Sequence, residues 1–211
     1  MAVAAPDITL YGTPLSGHAH RVEAFLNILA LPYRTVEADA AMRRSAEFRA
    51  LNPFGEIPVL VDGDRVLADS NAILVYLAER YDAAGQWNPG GADAATSVQR
   101  WLSVAAGELR FGPALARILT RWGGPGTLAD AQALALRLLD AMERHLADRD
   151  WLAAGHPTIA DLACYAYVAC APEGGVPLAP YPAVCRWLKR VEAIPRLPPM
   201  PGSATADGSG R

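Results

Sequence analysis

Cysteine is scarce in this chain of 211 residues and comes in an odd number: Cys164, Cys170 and Cys185, with no CxxC spacing. Such a set fits reduced, buried thiols in a cytoplasmic protein better than a disulfide framework. An excess of charge of one sign is missing too. There are 19 Lys and Arg against 22 Asp and Glu, a net charge of -3. A nucleic-acid partner needs a basic face, so none is expected. No apolar run approaches the roughly 18 residues of a membrane span, so no membrane partner is expected either. The opening MAVAAPD has neither a charged n-region nor an apolar h-region, and no signal peptide is expected. Nucleotide and hydrolase signatures are absent: there is no P-loop, no GxGxxG and no GxSxG. A metal set is absent as well. His18 and His20 lie two apart and share no helical face, and no Cys, Asp or third His stands near to complete a site. They read as surface or packing histidines. His145 and His156 carry no motif.

What is present is a large apolar fraction, 52% of residues, enough to bury a real core. Ile8 to Tyr11 reads as a short strand that stops at the turn cluster Gly12-Thr13-Pro14. Val22, Phe25, Leu26 and Leu29 then follow helical spacing until Leu31-Pro32. Tyr33 to Glu37 reads as a second strand, so the opening is a βαβ unit with parallel strands. Met42 to Leu51 predicts a short surface helix. A hairpin turning at Asp62-Gly63 comes next, and Ile73, Leu74, Leu77 and Tyr81 mark another helix. Residues 1–82 thus form a βαβ-α-ββα unit. The Gly- and Pro-rich residues 83–92 read as a linker.

Residues 93–197 carry no β-rich run and read as all-helical. Trp101, Leu102, Ala105 and Leu109 are helically spaced, and Gly112-Pro113 should bend or break that helix. Leu134, Leu138, Met142 and Leu146 predict a long amphipathic helix. Thr158-Ile159-Ala160-Asp161 resembles a capping box, with Asp where Glu or Gln is usual. Pro182 to Glu192 reads as a last helix. From Pro198 onward the chain is PPMPGSATADGSGR, and 198–211 is expected to be a flexible tail.

Two stretches invite chemistry. In Asn52 to Ala72 a proline, Pro58, sits inside the strand-like Ile57-Pro58-Val59-Leu60-Val61. Proline cannot donate to a sheet ladder. One reading is a plain edge strand; the other is a cis peptide whose flanking backbone pairs with an extended ligand. Asp69-Ser70 then opens a helix, where hydroxyl, amides and dipole suit a carboxylate. The second stretch is Gly12 to His18. Ser16 stands at a helix start, where amides lack partners. It reads equally as an N-cap and as a donor to a thiolate placed beside it. Trp101, Phe111 and Trp122 read as core aromatics or as walls of an apolar pocket.

Taken together, the chain resembles the glutathione transferases from about Ile8 to Arg196. The matching motifs are Asn52-Pro53-Phe54-Gly55-Glu56-Ile57-Pro58-Val59-Leu60, Asp69-Ser70-Asn71-Ala72-Ile73-Leu74-Val75-Tyr76-Leu77 and Thr158-Ile159-Ala160-Asp161. The resemblance implies an α/β plus all-α architecture: a thioredoxin-like N-terminal domain that binds glutathione, and an all-helical C-terminal domain. It implies that Ile57, before the cis-proline Pro58, pairs its backbone with the cysteinyl part of glutathione. Asp69 and Ser70 would hold the γ-glutamyl end, with Asp69 one carbon shorter than the usual acidic residue. Glu56 falls in the same binding loop, at a position where a neutral or basic side chain is frequent.

Ser16, six residues before Val22, matches the spacing of serine-type members such as the theta and zeta classes. Tyr11, at the end of the first strand, is the alternative at the sulfur. Ser16-Gly17-His18 departs from the Ser-Ser-Cys run of the zeta class, which argues against its isomerase activity. The resemblance further implies conjugation of glutathione to a hydrophobic electrophile, with Pro14, Arg110, Phe111 and Arg117 as walls of that pocket. It implies a cytoplasmic homodimer that uses no metal and serves in detoxification. The alternatives are a glutathione-dependent disulfide or peroxide reductase or isomerase, or a non-catalytic binding protein on the same fold.

Overall fold

The structure is a computed structural model, and it describes residues 7–202. Alternation decides how the first strand is used. In β1 (Ile8–Gly12), Ile8 and Leu10 face one side of the sheet and Thr9 and Tyr11 the other. Ile8 and Leu10 meet Val22, Phe25 and Leu26 of α1 (Gly17–Ile28) and Ile73, Leu74 and Leu77 of α3 (Ser70–Tyr81), all buried. Tyr11 packs with Ala38, Phe48 and Val59 on the opposite side, where α2 (Ala46–Leu51) lies after a 3-10 turn at Met42–Arg44. Thus α1 and α3 cover one face and α2 the other.

The sheet is mixed, in the order β2-β1-β3-β4. The strand β2 (Tyr33–Glu37) runs parallel to β1, as a βαβ crossover requires. The hairpin β3 (Val59–Asp62) and β4 (Arg65–Ala68) runs antiparallel, with Tyr11 opposite Val59 and Leu10 opposite Leu60. Pro58 precedes the first ladder residue of β3, and the Ile57–Pro58 bond is cis.

The second half is helical: α4 (Ala92–Val104), α5 (Leu115–Trp122), α6 (Leu128–His145), α7 (Ile159–Ala169) and α8 (Pro182–Glu192), with a 3-10 turn at Ala171–Gly174. The bend expected at Gly112-Pro113 is a run of π-helical turns, Ala105–Ala114, that joins α4 to α5 without a break. Pro113 has no N–H, and its ring would crowd the carbonyl four residues back, so a wider turn is the relaxed solution. Gly112 allows α6 to come close: a Cβ there would lie 3.0 Å from the Ala135 nitrogen.

Every residue of α7 is buried, and it packs against α1 and α3 as well as against its own domain. Its capping box forms as the sequence predicts. Asp161 accepts from Thr158 N at 2.9 Å, Leu152 N at 3.0 Å and Trp187 Nε1 at 2.9 Å.

Two stretches expected to be loose are packed. Within the connection before α4, Trp87 stacks 5.3 Å from Phe25, and its carbonyl accepts from Ile159 N at 2.8 Å. Of the expected flexible tail, residues 198–202 are docked, which corrects that reading. The Pro198 carbonyl pairs with His20 Nε2 at 2.9 Å, and Met200 is fully buried. A buried histidine in need of a partner and one large apolar side chain outweigh the polar average of the segment. Residues 203–211, the rest of that tail, and the first six residues lie outside the described ones.

Candidate functional site

Two twelve-residue helices, α1 and α3, start beside each other, and their N-caps are Ser16 and Asp69. Ser16 Oγ accepts from Ala19 N at 3.2 Å. Asp69 Oδ1 accepts from Asn71 N and Ala72 N, both at 2.9 Å. Asp69 holds φ +71 and ψ 122, outside the comfortable regions of an L-residue. Strain of that kind persists where the surroundings enforce it, and it gathers at ligand sites.

Two side chains of α1 reach across to α3. Arg21, 1% exposed, donates Nη1 to Ser70 Oγ at 3.2 Å and to Asn71 Oδ1 at 2.8 Å. His18 Nδ1 lies 3.4 Å from Ser70 Oγ. Asn71 then donates Nδ2 to the Leu102 carbonyl at 3.0 Å, tying α3 to the second domain. No carboxylate pairs with Arg21 among the described residues, and its Nε and Nη2 find no protein partner. Its charge thus lies under the start of α3 with no direct ion pair, and the Asp69 carboxylate acts on it only at longer range. Burial, and then the cations Arg21 and Arg110, push the His18 imidazole well below its usual range, so it is neutral at pH 7.

The two serine hydroxyls are wired alike in part. A hydroxyl has one proton to give and lone pairs to receive. Ser16 receives from a backbone amide, which leaves its proton to direct outward, whereas Ser70 receives from a guanidinium and also meets His18 Nδ1. Two helix N-termini and one buried cation make the cleft positive, and the exposed Arg110 adds to this. A ligand with an anionic sulfur and a carboxylate suits that arrangement.

The remaining sequence-predicted residues divide. Ile57 and the buried Pro58 lead into β3. Glu56 is exposed and pairs with Arg110 at 2.9 Å, joining its loop to the π-helical segment of the second domain. Pro14 and Phe111 are exposed, and the Arg110 guanidinium lies 5.6 Å from the Phe111 ring centre. Tyr11 sets its ring edge-on to Phe48, 6.0 Å away, on the sheet face opposite α1. Trp101 is core, whereas Trp122 is 56% exposed beneath the guanidinium groups of Arg117 and Arg121.

Arg117 corrects an expectation. It is no pocket wall, because it is fully buried and pairs with Glu173 at 3.0 Å and with the Leu15 carbonyl at 2.6 Å. The turns of Ala105–Ala114 rotate α5 so that Arg117 points into the protein. The two histidines prove to be packing residues: His20 is buried, and His18 sits edge-on to Tyr167. Sequence reading missed Arg21, Asn71 and Tyr167. A signal for Arg21 existed, since it shares the apolar stripe of Phe25 and Ile28 at i+4 and i+7.

Comparison with known proteins agrees with this geometry. The family profile "Glutathione S-transferase, N-terminal domain" matches residues 10–86, and "Glutathione S-transferase, C-terminal domain" matches residues 127–195. Glutathione S-transferase 3 of Zea mays is 34% identical over 221 residues, covering 93% of this chain and 98% of its own. The disulfide-bond oxidoreductase YfcG of Escherichia coli is 30% identical over 202 residues, covering 89% of this chain and 91% of its own. The crystal structure of a glutathione S-transferase from Xanthobacter autotrophicus Py2 superposes with a TM-score of 0.85 at 36% identity, over 93% of this chain and 98% of that one. The chain belongs to the glutathione S-transferase family.

Proposed function

We propose that Ser16 holds the glutathione sulfur as its thiolate. The reading rests on one observation: the Ser16 hydroxyl already accepts from Ala19 N, which leaves its proton for a second partner at the open end of α1. A cysteine thiol titrates near 8.5, so only a few per cent is ionised at neutral pH. Lowering that by about two units takes roughly 2.7 kcal/mol. One charge-assisted hydrogen bond and a helix N-terminus are together of that order. The thiol proton leaves to solvent. The thiolate then forms a bond to the electrophilic carbon, whose leaving group departs with its electron pair.

In this reading Ser70 donates to the γ-glutamyl carboxylate, Asp69 keeps the start of α3 in place, and the Ile57 backbone beside Pro58 pairs with the cysteinyl part. Glu56 and its partner Arg110 close the cleft from the second domain. Pro14 and Phe111 offer exposed apolar surface to a hydrophobic electrophile, while Arg117 is assigned elsewhere. Ser16→Ala should lower kcat/KM for conjugation about tenfold at pH 7, as the hydrogen bond is lost and the helix N-terminus remains. Near-normal turnover in that variant would move the role to Tyr11.

A second reading, glutathione-dependent disulfide reduction, is favoured by the likeness to the Escherichia coli oxidoreductase. An enzyme thiol is a poor candidate for it, since burial pushes Cys164 and Cys170 up to about 12. Turnover of hydroxyethyl disulfide exceeding that of 1-chloro-2,4-dinitrobenzene would decide for it. We place the protein in the cytoplasm, in keeping with its free thiols, as a homodimer acting in detoxification. Phe54, 86% exposed in the loop before β3, is the apolar surface such a dimer would cover. Light scattering at monomer mass would remove the dimer.

A further inference from the structure

The turn that carries Ser16 is held from the second domain. Arg117 of α5, 1% exposed, donates Nη1 to the Leu15 carbonyl at 2.6 Å, across 102 residues of sequence. Its Nε donates to Glu173 Oε2 at 3.0 Å, and the same carboxylate oxygen takes Arg121. Burial alone would raise the Glu173 pKa, but the hydrogen bonds from Arg117 and Arg121 outweigh it and hold the carboxyl below its usual value. Two guanidinium cations thus share one carboxylate. Glu173 is in turn fixed by contact: a Cβ on its neighbour Gly174 would lie 2.7 Å from Arg117 N and 2.8 Å from Ala116 C. The 3-10 turn and α5 touch backbone to backbone.

The other flank of the same turn is filled from α7. A Cβ on Gly17 would lie 2.8 Å from Tyr167 Cζ, so the ring lies directly on the glycine. The amides of Gly17 and His18 face the Tyr167 hydroxyl. By itself the turn has little to hold it before the helix begins: Ser16 N donates to Thr13 O at 3.1 Å, and Pro14 between them is exposed.

We propose that Arg117 is a positioning residue for the thiolate. By gripping the carbonyl next to Ser16 from a rigid, buried site, it fixes the distance between Ser16 Oγ and the sulfur. It acts through position, since the group it grips is a neutral carbonyl and Glu173 offsets part of its charge. The proposal rests on Ser16 being the donor to the sulfur. A displacement of about 1 Å at such a contact can cost up to a hundredfold in rate.

The test compares Arg117→Met and Arg117→Lys with wild type and Ser16→Ala. Three quantities are read: the pH profile of kcat/KM with 1-chloro-2,4-dinitrobenzene, the 240 nm absorbance of enzyme-bound glutathione thiolate, and glutathione affinity. Arg117→Met should raise the apparent thiol pKa by about one unit and lower kcat/KM about threefold at pH 7. Glutathione affinity should stay within about twofold. Arg117→Lys keeps the charge but loses the fork, and should fall between the two. A purely structural arginine would lower the melting temperature and leave the thiol pKa at the wild-type value, which overturns the proposal. If Arg117→Met does not fold, Arg117→Lys decides on the same readout. A wild-type thiol pKa in Ser16→Ala overturns the Ser16 reading and this one with it. A displaced pKa there with none in the arginine variants overturns this one alone.

Discussion

Arg21 Nη1 lies 3.2 Å from Ser70 Oγ and 2.8 Å from Asn71 Oδ1, bringing a buried cation from α1 beneath the first turn of α3. No carboxylate lies within ion-pair distance of it among the described residues, Asp69 acts on it only at longer range, and two of its nitrogens have no protein partner. A buried guanidinium without a direct ion pair does little for folding. It does help an anion bound at the outer side of Ser70.

Arg21→Met should therefore separate binding from stability. Methionine fills much of the same volume and removes the desolvated charge. The apparent affinity for glutathione should fall about tenfold, close to 1.4 kcal/mol. Unfolding free energy should change by less than about 1 kcal/mol, or rise. Calorimetric titration and a urea melt on the same variant check both. An equal loss of binding and stability would mean that Arg21 serves the fold.

His18 and His20 give the pH dependence. Burial lowers both pKa values, with Arg21 adding to the effect in each and Arg110 in His18; the Pro198 carbonyl only partly opposes it in His20. The folded state therefore prefers neutral imidazoles, whereas the unfolded chain protonates near 6.5. Their contribution to stability is complete above pH 6.5. It is lost as pH falls from 6.5 towards the lowered folded values, at up to about 1.4 kcal/mol per pH unit for each histidine. Urea midpoints at pH 7.5 and 5.5 should differ clearly in the wild type and less in His18→Gln. Equal differences in both would exclude His18 as a source.

How much of this was legible in the sequence follows from which interactions are local. The N-caps Ser16 and Asp69, the hairpin around Asp62-Gly63 and the capping box at Thr158 are all contained within a few residues. Spacing alone locates them. Arg21 with Ser70 and Arg117 with Leu15 join residues 49 and 102 apart, and no periodicity reports such pairs. The resemblance alone puts Arg117 at the pocket, on a helix bent at Pro113, and no spacing reports which side of such a helix turns inward. The π-helical turns there change which side of α5 faces inward. The docking of Met200 was hidden by the polar composition around it.

Asp161 tests the second domain. Its carboxylate is wholly buried and serves Leu152 N, Thr158 N and Trp187 Nε1, so it caps α7 and orients α8 together. Burial raises its pKa, and those four residue contacts, counting the Thr158 hydroxyl, only partly offset this. Asp161→Ala leaves three buried N–H donors and the Thr158 hydroxyl without this acceptor, the N–H donors at about 1 kcal/mol or more each. A loss of about 3 kcal/mol in unfolding free energy is expected, read from chemical denaturation. Because α7 also packs on α1, activity should fall at assay temperatures near the lowered melting point and recover on cooling. A loss below about 1 kcal/mol would show that water replaces the carboxylate.

The two serines offer the sharpest separation, since each hydroxyl accepts an internal hydrogen bond, Ser70 meeting His18 Nδ1 as well, and each is proposed to give its proton to the ligand. They differ in the group they meet. Ser70→Ala removes a donor to a carboxylate that is equally charged in ground state and transition state. Its loss is uniform binding, so KM for glutathione should rise about tenfold while kcat and the thiol pKa stay near wild type. Ser16→Ala acts on the group that changes charge. It should raise the apparent thiol pKa by about 1.5 units, the helix N-terminus remaining, and lower kcat at pH 7, with glutathione binding largely kept. Parallel pH profiles of kcat and kcat/KM for the two variants distinguish these outcomes. If Ser70→Ala moved the thiol pKa as far as Ser16→Ala does, the two hydroxyls would belong to one network through His18 Nδ1, 3.4 Å from Ser70 Oγ. His18→Gln would then reproduce the shift, and the division of labour between the two helix starts would be wrong.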